Sequence, residues 1–257
     1  MVPPSKSQAP KVKVMVVVPA RHASSRFPGK PLAPIAGKPM IQHVVERIRE
    51  ARLVTDVLVA TDDARIKNAV EGFGGEAILT RSDHRTGTDR VAEVAVQREA
   101  DIYVNVQGDE PLIDPGTIDA VAAAMIEDES IRIATACAAI TEKNDIMDPH
   151  VTKVVRDFDG NALYFSHAPI PWVRESSEHV AVRHWKHLGL YGFRRDALLE
   201  FPTLPPGDLE RAEQLEQLRW LENGFRIEVV ETEYDAVSVD VPADIERVEK
   251  LLREGSA

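Results

Sequence analysis

Three things are scarce in this sequence, and each scarcity removes a class of protein. Among 257 residues there is one cysteine, Cys137. A single cysteine makes no internal disulfide, so a disulfide scaffold is excluded and a reducing compartment fits. Within the apolar run IRIATACAAI it reads as a buried small hydrophobe. Long hydrophobic runs are also missing. None approaches the roughly 20 apolar residues of a membrane-spanning helix, and the N-terminal MVPPSKSQAPKVK lacks the apolar stretch of a signal peptide. The expectation is a cytoplasmic protein with residues 1–12 as a flexible tail and no membrane partner. Positive charge is the minority sign, with 31 Lys and Arg against 42 Asp and Glu and a net charge of -11. That argues against nucleic acid as a partner, since a phosphate backbone needs a broad basic surface. A small phosphorylated ligand needs only a local basic pocket.

The most telling absence is local. No acidic residue occurs before Glu46, although Lys6, Lys11, Lys13, Arg21, Arg26, Lys30 and Lys38 all do. Four of these lie in or just past the loop PARHASSRFPGKPLAPIAGKP. The loop follows the β-branched run KVMVVV, which reads as a buried strand. Gly29 and Gly37 let the backbone approach a ligand. Guanidinium groups fork onto phosphate oxygens and a lysine acts as a mobile point charge. An acid placed here would repel an anionic ligand by roughly 1–4 kcal/mol per close pair. A solvated basic turn is the plainer reading, and the position after a buried strand weighs against it. The loop matches neither G-x-x-x-x-G-K-[ST] nor G-x-G-x-x-G. GFGGEA at 72–77 follows a helix rather than a strand, so a dinucleotide dehydrogenase is a poor fit.

Beyond this loop, strands and helices alternate. PMIQHVVERIREA puts Met40, Ile41, Val44, Val45 and Ile48 on one helical face. DVLVAT, EAILT, DIYVNVQ and IRIATACAAI read as strands with helices between them. This rhythm predicts an α/β chain with a mostly parallel central sheet and helices on both faces. Ligands then bind outside the carboxyl ends of the strands. The basic loop and the QGDEP that follows DIYVNVQ should therefore face one crevice. From about residue 150 the pattern changes to a smaller β-rich lobe, with a hairpin turning at Asp159–Gly160 and an aperiodic stretch at 167–187. LERAEQLEQLRWLENG reads as one helix ending at Gly224, on which Glu213, Glu216 and Gln217 share a face; solvation alone would explain such a face. Asp109 and Glu110 read as a cation site or as a capping turn before Pro111, and Asp240 as a second such carboxylate or as a helix N-cap.

The ordered motifs VVVPARHASSRFPGKPLAPIAGKPMIQHV, ATDDARI, TRSDHRTGTDRVAEV, VNVQGDEPLI, ALYFSHAPIPW, KHLGLYGFRRDAL, AEQLEQLRWLENG and VDVPADIERV resemble the 3-deoxy-manno-octulosonate cytidylyltransferase family over roughly residues 13–253. The resemblance implies a Rossmann-like nucleotidyltransferase fold, with residues 13–257 as one domain and a sugar-binding and dimerisation lobe at about 150–195. It implies the substrates CTP and 3-deoxy-D-manno-octulosonate (Kdo), a Mg²⁺ cofactor and a homodimer. Asp109 and Asp240 match the metal-binding aspartates. Arg21, Ser25, Arg26 and Lys30 match triphosphate contacts, with Arg21 and Lys30 also in catalytic roles beside the two aspartates. Arg81 and Gln107 would help hold the nucleotide, and His167, His187, Tyr191, Glu216 and Gln217 would line the sugar site.

The implied reaction is attack of the sugar's anomeric hydroxyl on the α-phosphorus of CTP, releasing pyrophosphate and forming CMP-Kdo for lipopolysaccharide biosynthesis. Catalysis would rest on positioning and charge neutralisation. Two departures bear on the sugar. His167 stands where the family usually has Arg, and histidine is mostly neutral at pH 7. VDVPAD replaces the commoner VDTPED but keeps the aspartate. Activation of 8-amino-Kdo or a sialic acid is therefore one alternative. A catalytically silent nucleotide-binding protein is the alternative from another class.

Overall fold

The computed structural model describes residues 12–23, 27–174, 182–234 and 237–255. Ser25 and Arg26, expected on the triphosphate, lie outside the described residues. Strand β1 (Val14–Ala20) leads into the basic loop and a short hairpin, β2 (Pro34–Ile35) and β3 (Lys38–Pro39). Then follow α1 (Met40–Ile48), β4 (Asp56–Thr61), α2 (Ala64–Gly72), β5 (Glu76–Leu79), α3 (Gly87–Gln97), β6 (Ile102–Asn105), α4 (Pro115–Glu127) and β7 (Ile133–Ala139). The second part has α5 (Lys143–Met147), β8 (Lys153–Arg156), β9 (Ala162–Ser166), β10 (Trp185–Arg194), α6 (Arg195–Glu200), α7 (Asp208–Glu213), α8 (Gln217–Glu222), β11 (Glu228–Thr232) and α9 (Asp244–Glu254).

Nine strands form one sheet whose spine runs β11-β7-β10-β6-β1-β4-β5, with β8 and β9 joined at β10. β1 pairs in parallel with β4 and β6, as do β4 with β5 and β7 with β11. β10 runs antiparallel between β6 and β7, and its first residues also pair with β8. The expected hairpin is present, with Gly160 at φ 94 in the turn.

Alternate residues of the buried strands feed opposite layers. Val16, Val18 and Val104 meet Ile41, Val44 and Ile48 of α1 and Val121 of α4 on one face. Met15, Val17, Tyr103 and Phe193 meet Val91 and Val94 of α3 and Trp220 of α8 on the other. Each such fully buried side chain contributes roughly 1.5–3 kcal/mol, so the strand ends are held rigidly where ligands would sit. A third cluster seats Val248 of α9 and Val239 of the segment before it against Ile35, Met40 and Leu112. Cys137 is buried as expected, and burial pushes its thiol up to about 12. Among the described residues no helix is long and apolar enough to cross a membrane.

Two local expectations need correction. The helix expected over residues 209–224 is broken into α7 and α8, because Gln214 adopts the left-handed conformation at φ 55. The Glu213 carboxylate is drawn to β9, accepting from Ser166 Oγ at 2.5 Å and from the His167 amide at 2.9 Å. Gln214 Nε2 then donates to the Arg211 carbonyl at 2.8 Å. Glu213 and Gln217 therefore do not share one helical face. Nor does Asp240 cap α9: Asp244 does the local work, its carboxylate accepting the Asp240 amide at 2.7 Å and the Val241 amide at 2.9 Å.

Candidate active site

β1 and β6 are parallel neighbours, so the loops leaving their carboxyl ends emerge side by side. Gly29 at φ 74 and its amide bond to the His22 carbonyl turn the basic loop back, and Lys30 opens a short 3₁₀ turn. Lys30 Nζ donates to Asp109 Oδ2 at 2.6 Å and to the Val239 carbonyl at 2.9 Å, and lies 3.8 Å from Asp240 Oδ1. The Val239 amide donates back to the Asp109 carbonyl at 2.9 Å. Three distant parts of the chain thus converge on one ammonium. The expected meeting of Lys30, Asp109 and Asp240 is what the geometry gives.

The donors of this set decide what cation it could hold. Among the described residues no group of three or more His, Cys, Asp or Glu is placed to hold a metal ion. Two carboxylates and a carbonyl are hard oxygen donors that already surround one cation, the lysine. Mg²⁺ is commonly bound by one or two carboxylates with substrate phosphates and waters completing its shell. The residues therefore fit a divalent ion carried by a nucleotide, not an all-protein cage.

Beside this cluster lies a cleft of about 540 Å³. Arg21, Gln107, Gly87 and Glu216 line it, together with Arg90 and Glu210. Its floor owes its shape to α3, which begins at a reciprocal cap: Thr86 accepts the Asp89 amide, and Asp89 accepts the Thr86 amide. Thr88 Oγ1 on the same turn donates to Glu216 Oε1 at 2.6 Å, tying α3 to the start of α8. Burial raises the Glu216 carboxyl above its ordinary range. Arg21 and Gln107 line the cleft as the sequence leads one to expect, whereas Arg81 is bonded to Asp83 on an exposed turn and lines an adjacent hollow. Arg90, which sequence reasoning passed over, is buried and anchored to Asp62 and the Arg81 carbonyl.

The residues expected on the sugar side gather on β10 and its neighbours. His187 bonds through Nε2 to the Thr135 hydroxyl at 3.0 Å, and its ring lies 5.4 Å from Tyr191 and 4.9 Å from Phe165. Burial pushes the imidazole down to about 3. Tyr191 is 5 % exposed and Gln217 4 %. His167 sits at the end of β9, with Nδ1 donating to the Pro149 carbonyl at 2.6 Å. A fully buried lysine, Lys153, donates to the Asp148 carbonyl at 2.8 Å and the His167 carbonyl at 2.7 Å, fixing that turn. Burial lowers its pKa. Next to Asp109, the buried carboxyl of Glu110 is pushed up to about 8 by burial and by the Asp109 charge. Several buried polar atoms here have no partner: both side-chain amide atoms of Asn105, the Tyr191 hydroxyl and Glu110 Oε2. Lys153 and Asn105 carried no signal in the sequence beyond their place in strands.

Comparison with known proteins agrees with this arrangement. A family model described as cytidylyltransferase matches residues 15–229. The chain is 53% identical over 249 residues to a 3-deoxy-manno-octulosonate cytidylyltransferase of Geobacter sulfurreducens, covering 93% of this chain and 100% of that one. This chain belongs to the 3-deoxy-manno-octulosonate cytidylyltransferase family. A relative of the same name from Solibacter usitatus is 51% identical over 241 residues, covering 94% and 95% of the two chains. A solved structure of CMP:2-keto-3-deoxy-manno-octonic acid synthetase complexed with CTP superposes with a TM-score of 0.90 at 45% identity, covering 95% of this chain and 99% of that one. The family and the Rossmann-like nucleotidyltransferase fold expected from the motifs are both borne out.

Proposed function

We infer that this cytidylyltransferase transfers CMP from CTP to 3-deoxy-D-manno-octulosonate, releasing pyrophosphate, as a step in lipopolysaccharide biosynthesis. The observation that carries the reading is the convergence of Lys30, Asp109 and Asp240 at the carboxyl ends of β1 and β6. The sugar's anomeric oxygen forms a bond to the α-phosphorus while the bond to the β-phosphate oxygen breaks. The hydroxyl proton passes to solvent.

Each residue has a part that its surroundings suit. Asp109 and Asp240 would hold the divalent ion, Mg²⁺ in this reading. When bound, that ion neutralises phosphate charge and lowers the pKa of the attacking hydroxyl. Lys30 exchanges its aspartate partner for the triphosphate, where with Arg21 and Arg26 it stabilises the departing pyrophosphate. Ser25 belongs to the same loop. Gln107 helps hold the nucleotide in the cleft. His187, kept neutral by its surroundings, joins Tyr191, Glu216 and Gln217 in donating to and accepting from sugar hydroxyls. His167, oriented through its Nδ1 bond, faces the sugar acid where the family's arginine would stand. The lobe at about 150–195 carries His167, His187 and Tyr191 among these contacts and the surface of a homodimer.

The test is pyrophosphate release with each of four nucleotides against Kdo, 8-amino-Kdo and a sialic acid. Turnover specific to CTP and Kdo is expected. Preference for 8-amino-Kdo or sialic acid would reassign the sugar, and silence with every pair would leave a nucleotide-binding protein.

A further inference from the structure

We infer that Asn105 is a further substrate-binding residue: its carboxamide and the Tyr191 hydroxyl together take one hydroxyl oxygen of the sugar. This rests on the reading above that a polyhydroxylated sugar acid is the acceptor.

Asn105 is the last residue of β6 and is fully buried, yet neither its Nδ2 nor its Oδ1 has a partner. Directly across the antiparallel pair, in register, stands Tyr191 of β10, whose buried hydroxyl is likewise unpartnered. Residues opposed in this way project to the same face of a sheet, about 5 Å apart at Cβ. Buried amides and hydroxyls are nearly always satisfied, because stripping them of water without a replacement is costly. A leucine or valine at position 105 would continue the apolar run Ile102–Val106 without that cost. The carboxamide is therefore a burden to the fold unless a ligand uses it.

The nearest open space lies beyond Gly87. At the start of α3, a Cβ added to Gly87 would lie 3.7 Å from Asn105 Nδ2 and 3.8 Å from Gln107 Nε2. Gly87 and Gln107 both line the cleft, so a residue with no side chain is what separates the amide from that space. Beyond it, Glu216 is close enough for its charge to act on Tyr191.

The orphan atoms select the chemistry. Nδ2 needs an acceptor and Oδ1 needs a donor. A carboxylate cannot donate, and the neighbouring Glu216 opposes an anion; an ammonium cannot accept. A hydroxyl oxygen does both and still serves the tyrosine. The spot has no exposed surface at Asn105, so it suits a single oxygen rather than the edge of a planar base. An enclosed water has the same hydrogen-bonding chemistry, and the experiment separates the two.

Asn105→Leu and Asn105→Ser are compared with the unaltered protein for KM with Kdo, KM with CTP and thermal midpoint. The expected result is at least a tenfold rise in KM for Kdo, a KM for CTP within twofold, and a midpoint for Asn105→Leu no lower than the parent's. Asn105→Leu/Tyr191→Phe should then lose little more than the worse single variant, since both groups hold one oxygen. An unchanged KM for Kdo assigns the amide to an enclosed water or to the fold and overturns the inference, as does a rise confined to CTP. Failure of both variants to fold overturns it also. If the unaltered protein releases no pyrophosphate from CTP and Kdo, the underlying reading fails first, visibly and before any substitution.

Discussion

Lys30, Asp109 and Asp240, proposed above for the nucleotide, sit in loops and turns, with side chains 14 %, 31 % and 46 % exposed. Of the residues proposed for the sugar, Tyr191 lies within a strand and Gln217 opens a helix, and both are almost wholly buried. Under that proposal the first group acts by charge and can trade partners. The second acts by neutral hydrogen bonds in fixed positions. A triphosphate brings several negative charges and can be captured by flexible ions from outside. A sugar offers hydroxyls of similar chemistry, so telling one from another requires donors and acceptors that cannot rearrange. Rigidity is supplied by the aromatic packing of His187, Tyr191, Phe193 and Trp220 behind the site.

Five measurements would sharpen or break this contrast. The largest effect is expected for Asp109→Ala, with kcat falling at least about a thousandfold, near 4 kcal/mol, and the circular dichroism unchanged. Near-parental turnover would remove the carboxylate from the chemistry. Next comes Lys30→Ala. Its kcat/KM for CTP should drop roughly a hundredfold, about 2.7 kcal/mol, with KM for the sugar little altered. An equal loss for both substrates would mean that the two sides are not separable.

Tyr191→Phe should raise KM for the sugar about tenfold, or 1.4 kcal/mol, while leaving thermal stability equal or improved, because the deleted hydroxyl has no partner in the ligand-free protein. A lower melting point would show that the hydroxyl serves the fold. A pH series addresses His187. Its ordinary pKa is near 6.5 unfolded and about 3 folded, so the unfolded chain takes up the proton first. This contribution to stability is complete above pH 6.5 and is lost as pH falls toward 3. His187→Gln should flatten the melting curve against pH in that window, and an unchanged slope would refute the burial argument. Smallest is Arg81→Ala. An exposed, solvent-screened pair with Asp83 contributes little, so the melting point should hardly move and KM for CTP should stay within twofold of the parent. A large rise in KM for CTP would bring Arg81 back to the nucleotide.

The same contrast explains what could be read from the sequence. Charges in loops announce themselves: the acid-free stretch around Lys30 and the QGDEP turn stood out against strands of valine and isoleucine. The alternation of strands and helices through residue 140 was equally plain, since periodicity reports burial directly. Asp240 was different, because locally it is indistinguishable from a helix-capping residue and only the motif resemblance linked it to Asp109. Asn105 and Lys153 were hidden for another reason. Inside a buried strand, one polar residue does not disturb the pattern, and what surrounds it, Tyr191 opposite Asn105 and the His167 carbonyl at Lys153, comes from other strands and turns. The break at Gln214 was invisible because LERAEQLEQLRWLENG has good helix formers throughout; the tertiary pull of Ser166 and His167 on Glu213 overrode their preference.

The knot tied by Lys30, Asp109 and Val239 draws on the beginning, middle and far end of the chain at once. No contiguous fragment can therefore hold the reacting centre. A nascent chain whose last strand-to-helix segment is still inside the ribosome has most of its sheet and none of its chemistry. By the same logic, a single cut ahead of α9 that let this segment drift away would silence the enzyme while leaving the bulk of its hydrophobic interior intact.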